Sequence, residues 1–145
     1  MIFLPIAINI TGKKILIIGG GKVGFHKATL LHCYTDSVTV ISPAFHEGFE
    51  LLPFTLIRKE YEPSDLLGAF LVYVCTGDET LNRKVKLEAE ALGILTCVCD
   101  NPDLCDFISP AIHQDGNISV AVTSNGEDVR RSIAVRDRIK EVLNW

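Results

Sequence analysis

Gly19-Gly20-Gly21-Lys22-Val23-Gly24 has the spacing G-x-G-x-x-G, in which backbone without side chains can close on a phosphate group. Gly19 allows a tight turn, Gly21 lets the backbone approach a pyrophosphate, and Gly24 lets the following helix pack closely on its strand. The helix that begins here adds free N–H groups and the positive end of its dipole. Further polar groups each follow an apolar run: Thr76 and Asp78, Asp100, and Ser124 with Asn125. Asp100 enters Asn101-Pro102-Asp103, a turn signal, and reads either as a carboxylate for acid–base chemistry or as a turn and cap residue. Thr76 and Asp78 read more simply as caps of the helix that starts at Glu79. Arg130, Arg131, Arg136, Arg138 and Lys140 offer cations, and arginine forks suit carboxylates. Glu127, Asp128, Asp137 and Glu141 dilute them, so a solvated helix face is the plainer reading. For His113 and Ser124, a surface role is likewise the plainer one.

These groups need elements to hold them, and the hydrophobic pattern supplies them. Lys14 to Ile18 is a contiguous apolar strand stopped by glycine, the mark of a parallel strand covered on both faces. A helix follows from Val23 to Tyr34, then a strand from Val38 to Ile41 closed by Ser42-Pro43. Phe54 to Tyr61, Phe70 to Cys75 and Ile94 to Cys99 give three more strands. The clearest helix runs from Glu79 to Leu92 and ends at Gly93. Ile118 to Val122 is a sixth strand, and Glu127 to Leu143 a final helix. Strands alternating with helices mean βαβ units, so the expected fold is a doubly wound, Rossmann-type parallel α/β sheet with a short carboxy-terminal strand–helix segment. The expected division is 1–112 for the nucleotide-binding domain and 113–145 for a dimerisation and substrate-pocket segment.

At 145 residues the chain would bury about 68% of its extended surface, enough for one core without disulfide staples. A net charge of −4 argues against a nucleic-acid partner. The longest apolar run, Ala69 to Cys75, is too short to cross a bilayer, and Met1 to Ile6 lacks the basic start of a signal peptide. Five cysteines, an odd number, read as reduced thiols packed in a cytoplasmic core. Cys97, Cys99 and Cys105 lack the spacing of a zinc set, so no metal is expected.

The dinucleotide fingerprint is incomplete. A carboxylate should close the second strand to hold the ribose 2′-OH, yet Ser42-Pro43-Ala44 stands there, with no Arg or Lys for a 2′-phosphate. That neutral site favours NAD over NADP. The candidate cofactor residues are Gly19, Gly21, Lys22, Val23, Gly24, Ser42, Pro43, Thr76 and Asp78.

Several blocks together resemble the siroheme synthase amino-terminal family, the precorrin-2 dehydrogenases, some of which are also sirohydrochlorin ferrochelatases. They are Leu4-Pro5-Ile6, Ile17 to Gly24 with Lys27, Val38 to Pro43, Thr76-x-Asp78 with Asn82, Val98 to Ala111, and Ile118 to Gly126. The match runs nearly end to end, and Val98 to Ala111 is its most specific part. The resemblance implies oxidation of precorrin-2 to sirohydrochlorin with NAD+, and in bifunctional members insertion of Fe2+ as a substrate. It places the family's catalytic aspartate on Asp100.

The family carries Ala and Arg where this chain has Gly24 and His26, and Ser-Pro where Asp128-Val129 follows Glu127. Relatives continue beyond the position of Trp145, so the expectation is a homodimer whose partner subunit completes the tetrapyrrole pocket. Ser124, Asn125, Arg130 and Arg131 are the candidate substrate contacts. The alternative is a regulatory module that senses NAD without turnover. It gives no reason for the Val98 to Ala111 block.

Overall fold

The computed structural model describes residues 1–144. The apolar runs form five parallel strands, β1 (Lys14–Gly20), β2 (Val38–Phe45), β3 (Thr55–Arg58), β4 (Ala69–Val74) and β5 (Leu95–Val98), in the order β3-β2-β1-β4-β5. The strands are contiguous in apolar residues because both faces are covered. Leu16, Ile18, Val72, Val74 and Val98 pack with Val85 and Ala89 of helix α2 (Glu79–Ala91). Ile15, Ile17, Leu71, Tyr73 and Cys97 alternate with them and are also buried. Helix α1 (Lys22–His32) buries Gly24, Ala28 and Leu31. The chain leaves β1 toward β2 on one side and reaches β4 on the other, so the order reverses between β1 and β4. Ligands of open α/β sheets bind at such a point, beyond the strands' carboxyl ends.

Three expectations change. β2 does not stop at Ser42-Pro43 but continues to Phe45. Ile18 pairs with Ile41 and Gly20 with Phe45, so residues 42–44 bulge opposite Gly19, and a proline without an N–H is tolerated there. The third strand is shorter than Phe54 to Tyr61, because the chain turns into a 3₁₀ segment at Pro63–Leu66. The sixth strand does not join the parallel sheet. It is β7 (Ile118–Val122), paired antiparallel with a strand absent from the sequence reading, β6 (Ala111–Asp115). The turn between them is Gly116-Asn117, with Gly116 at φ +54, a hairpin signal of the expected kind.

Two compact units result. One comprises residues 8–106 and holds the parallel sheet; the other comprises residues 1–7 and 107–145 and holds the hairpin with helix α3 (Val129–Leu143). No helix among the described residues is long and apolar enough to cross a membrane.

Candidate functional site

The glycine turn is built by conflicts that only glycine avoids. Gly19 has φ +111, and a Cβ there would lie 2.5 Å from the Cys75 carbonyl oxygen at the end of β4. A side chain on Gly24 would run into the Gly19 carbonyl, which is how close α1 comes to the turn. Gly21 is different: its backbone is extended (φ −76, ψ −167), and a Cβ there meets nothing within 4 Å. It is the N-cap of α1, and no side chain caps the helix, which leaves first-turn N–H groups available at an open position. That space is one wall of a cleft of about 340 Å³. A cradle of bare backbone at a helix N-terminus, open where a side chain would otherwise stand, fits the pyrophosphate of a dinucleotide.

The cleft brings together Gly19, Gly21, Ser42, Pro43, Thr76 and Asp78 from the candidate cofactor residues, with Cys75, Gly77 and Leu81. Lys22, Val23 and Gly24 do not line it. Lys22 and Val23 are exposed in the first turn of α1, and Gly24 is buried beneath the loop. Asp78 is the N-cap of α2, accepting from the Thr80 and Leu81 N–H groups at 2.9 and 3.1 Å, so the capping reading holds for it. Thr76 donates its hydroxyl to the buried Asn82 side chain, whose amide donates to the Thr76 carbonyl at 3.1 Å. These bonds fix the wall of the cleft.

The end of β2 is not neutral. Glu60 and Tyr61, just past β3, line the same cleft. The Tyr61 hydroxyl donates to Glu88 at 2.6 Å, and burial followed by that bond raises its pKa above the ordinary value. Arg58 reaches the Pro43 carbonyl at 3.3 Å and stacks over Phe45, 5.2 Å from its centroid. The guanidinium comes from the strand paired with β2, and the carboxylate from the segment just past that strand. Sequence reasoning missed them because it looked only along β2; the one available signal was the parallel neighbour expected in a Rossmann order.

Asp100 follows β5 and is exposed. It lines a second cleft, of about 320 Å³, with Gly77, Glu79, Asn82, Val98, Asn101 and Leu104. Gly77 is common to both clefts. The cap of the next 3₁₀ segment is Asn101, which accepts from the Asp103 N–H at 3.2 Å. No described residue bonds the Asp100 carboxylate, so the capping duty considered for it falls to its neighbour.

Ser124 and Asn125 do not follow a strand of the parallel sheet, because β7 belongs to the two-stranded hairpin. Within their own unit they organise the start of α3. Ser124 Oγ accepts from the Asp128 N–H at 2.9 Å and from Ser132 at 3.0 Å, and Asn125, at φ 55, accepts from the Phe3 N–H at 3.0 Å. Asp128 caps α3 through the Arg131 N–H. Arg136 and Arg138 are spent on Asp137 and Glu141, whereas Arg130 and Arg131 are exposed and make no ion pair among the described residues. His113 is half-buried in β6. No group of three His, Cys, Asp or Glu that could hold a metal occurs among the described residues.

A family model described as "Putative NAD(P)-binding" matches residues 6–111. Curated relatives include siroheme synthases. That of Nitrosococcus oceani is 33% identical over 147 residues, covering 99% of this chain and 31% of that protein. That of Methylobacillus flagellatus is 37% identical over 144 residues, covering 97% and 31%. That of Ectopseudomonas mendocina is 36% identical over 142 residues, covering 97% and 31%. The chain thus spans about a third of the length of the relatives it matches. Among solved structures, one titled "SirC, precorrin-2 dehydrogenase" superposes with a TM-score of 0.82 at 23% identity, covering 99% of this chain and 71% of that one. That likeness shows a shared fold.

Proposed function

The chain belongs to the NAD(P)-binding family whose model spans residues 6–111, and from that premise we propose that it is an NAD-dependent dehydrogenase that oxidises precorrin-2 to sirohydrochlorin. One observation carries the reading: the glycine cleft and the Asp100 cleft adjoin at Gly77, and the Asp100 carboxylate has no structural bond to keep. The substrate is that of the solved precorrin-2 dehydrogenase with the same fold, in keeping with the siroheme synthases among the relatives.

The dinucleotide lies in the glycine cleft on the backbone of Gly19 to Gly24, with Ser42, Pro43, Thr76 and Asp78 around it. When bound, NAD+ provides the hydride acceptor. Asp100 takes the proton that leaves the macrocycle, the work of a general base. Arg130 and Arg131, with Ser124 and Asn125, meet the substrate's carboxylates. Where Fe2+ is inserted it is a substrate, and Asp100 receives the pyrrole protons. NAD is preferred over NADP because Glu60 lines the cleft and can accept the ribose 2′-OH. Arg58 is held by Pro43 and Phe45 and does not line the cleft.

Two copies form the working unit. Ile118, Val129, Ile133 and Leu143 are 39–64% exposed, an apolar surface on the hairpin and helix that a second copy would cover. The thiols are free, in keeping with a cytoplasmic site of action.

The test is incubation with precorrin-2 and NAD+, with and without Fe2+, followed by absorbance spectra. Sirohydrochlorin formed with NAD+ and more slowly with NADP+ supports the reading. Binding of NAD+ with no change in the tetrapyrrole spectrum overturns it.

A further inference from the structure

Two thiols meet at the edge of the glycine cleft, which Cys75 lines. Cys75 follows β4 and Cys99 follows β5. Val74 pairs with Val98, and the Cys99 N–H donates to the Val74 carbonyl at 2.9 Å, so parallel register sets the two cysteines side by side. Their sulfurs are 2.8 Å apart, and a bond needs them drawn in to about 2.05 Å. We propose that Cys75 and Cys99 are a redox modification site, closing to a reversible disulfide that weakens dinucleotide binding.

The neighbouring thiols are placed for other work. Cys97 is 3% exposed within the strand. The Cys105 sulfur accepts from the Val98 N–H at 3.1 Å and lies 3.2 Å from the Val98 carbonyl. Cys33 is exposed at the end of α1. Cys75 alone among the cysteines lines the glycine cleft, so a small oxidant can reach it from there. The contact with Cys75, and then burial, raise the Cys99 pKa well above the ordinary thiol value, partly opposed by a hydrogen bond with Cys97 and, less, by the Lys27 ammonium. Cys99 therefore keeps its proton until its partner has reacted.

The co-reactant is a peroxide. The Cys75 thiolate attacks a peroxide oxygen and the O–O bond breaks, giving a sulfenic acid at Cys75 and one water once the released hydroxide takes up the proton lost by the thiol. The Cys99 sulfur then attacks the Cys75 sulfur. The S–S bond forms, the S–O bond breaks, and hydroxide leaves as water with the proton from Cys99. Two thiols and one hydrogen peroxide become one disulfide and two waters, a two-electron oxidation. A dithiol reductant reverses it by exchange.

The consequence for the cleft rests on the dinucleotide reading above. The Cys75 N–H donates to the Ile18 carbonyl at 2.7 Å, and the Cys75 carbonyl fills the space where Gly19 would carry a Cβ. Drawing Cys75 toward Cys99 moves the backbone that supports the glycine turn. Bound dinucleotide in turn covers Cys75 and slows its oxidation.

The experiment uses the full chain carrying Cys33→Ser, which removes the exposed thiol. Hydrogen peroxide treatment followed by non-reducing peptide mapping should give one Cys75–Cys99 cross-link, formed more slowly with NAD+ present and lost with dithiothreitol. Calorimetry should find NAD+ binding about tenfold weaker in the oxidised form. In Cys99→Ser, peroxide should leave no cross-link; the map of the unsubstituted pair stands by itself if that variant folds poorly. No cross-link, a cross-link through Cys97 or Cys105, or equal NAD+ affinity in both redox forms overturns the proposal. If the reduced protein fails to bind NAD+, the cofactor reading falls and the coupling falls with it, while the map still decides the disulfide.

Discussion

The two compact units treat apolar surface in opposite ways. Among the described residues, every buried hydrophobic one lies between Ile15 and Val98, within the parallel-sheet unit, where Ile15, Leu16, Ile17, Val72 and Val85 are wholly enclosed. In the hairpin–helix unit the one buried residue among those described is Ser132, and Val129, Ile133, Val135, Val142 and Leu143 of α3 all remain exposed. The first unit closes its own core, and the ends of its paired strands frame its clefts. The second has its turns and caps in order but no interior. Specific local bonds shape a helix start, and burial supplies most of the stability. A unit with the first and without the second suits the second copy proposed above.

The largest expected effect is at the cleft of the self-sufficient unit. In Gly21→Asp the new side chain enters open space, and an aspartate at an N-cap suits α1, so the melting temperature should hold or rise slightly. Its bulk and charge stand where the pyrophosphate would lie, and NAD+ affinity should fall by about 100-fold or more, about 2.7 kcal/mol. Unchanged affinity by calorimetry would remove the cofactor from this loop.

Next comes the contrast in burial itself. Ile17→Ala opens a void among enclosed neighbours and should cost about 2–5 kcal/mol, read as a lower urea midpoint. Ile133→Asp on the exposed face of α3 should change the stability of a single chain by no more than about 0.5 kcal/mol. It should nevertheless convert a species of twice the chain mass, by light scattering, into one of the chain mass. A unit mass for the unsubstituted protein at micromolar concentration and above would end the dimer reading.

Arg130→Ala combined with Arg131→Ala should raise KM for precorrin-2 by about tenfold with kcat little changed, the pattern of lost ground-state binding. A fall in kcat with KM fixed would place these arginines elsewhere in the mechanism. Asp78→Ala tests the smallest term. Loss of two N-cap hydrogen bonds should cost about 1 kcal/mol by chemical denaturation, and a larger loss in NAD+ affinity than in stability would show a direct role at the cofactor.

Much of the sheet unit is legible in the sequence because its signals are local. Lys14 leads into an unbroken apolar run, Ile15 to Ile18, ended by glycine, and Glu79 to Leu92 carries helical spacing up to Gly93, which adopts φ +69. What stayed hidden depends on pairing between strands. Arg58 and Glu60 reach the end of β2 only because β3 lies beside it, and Cys75 meets Cys99 only through the register of β4 with β5. β6 escaped for another reason: Ala111 to Asp115 is short, follows Pro110, and carries His113, Gln114 and Asp115 in place of a clear apolar alternation. Its Gly116-Asn117 turn was the readable mark. At the start of α3 the sequence does not show that Ser124 and Asn125, proposed as substrate contacts, are also turn and cap partners within their unit.

The account turns on a single carboxylate. Asp100→Ala, assayed for precorrin-2 oxidation alongside its melting temperature and NAD+ affinity, should lose rate by roughly 100- to 10,000-fold, the usual contribution of a positioned base. Fold and cofactor binding should stay nearly intact, because Asn101 rather than Asp100 holds the turn. Turnover close to that of the unsubstituted protein would contradict the assignment of Asp100 as the base.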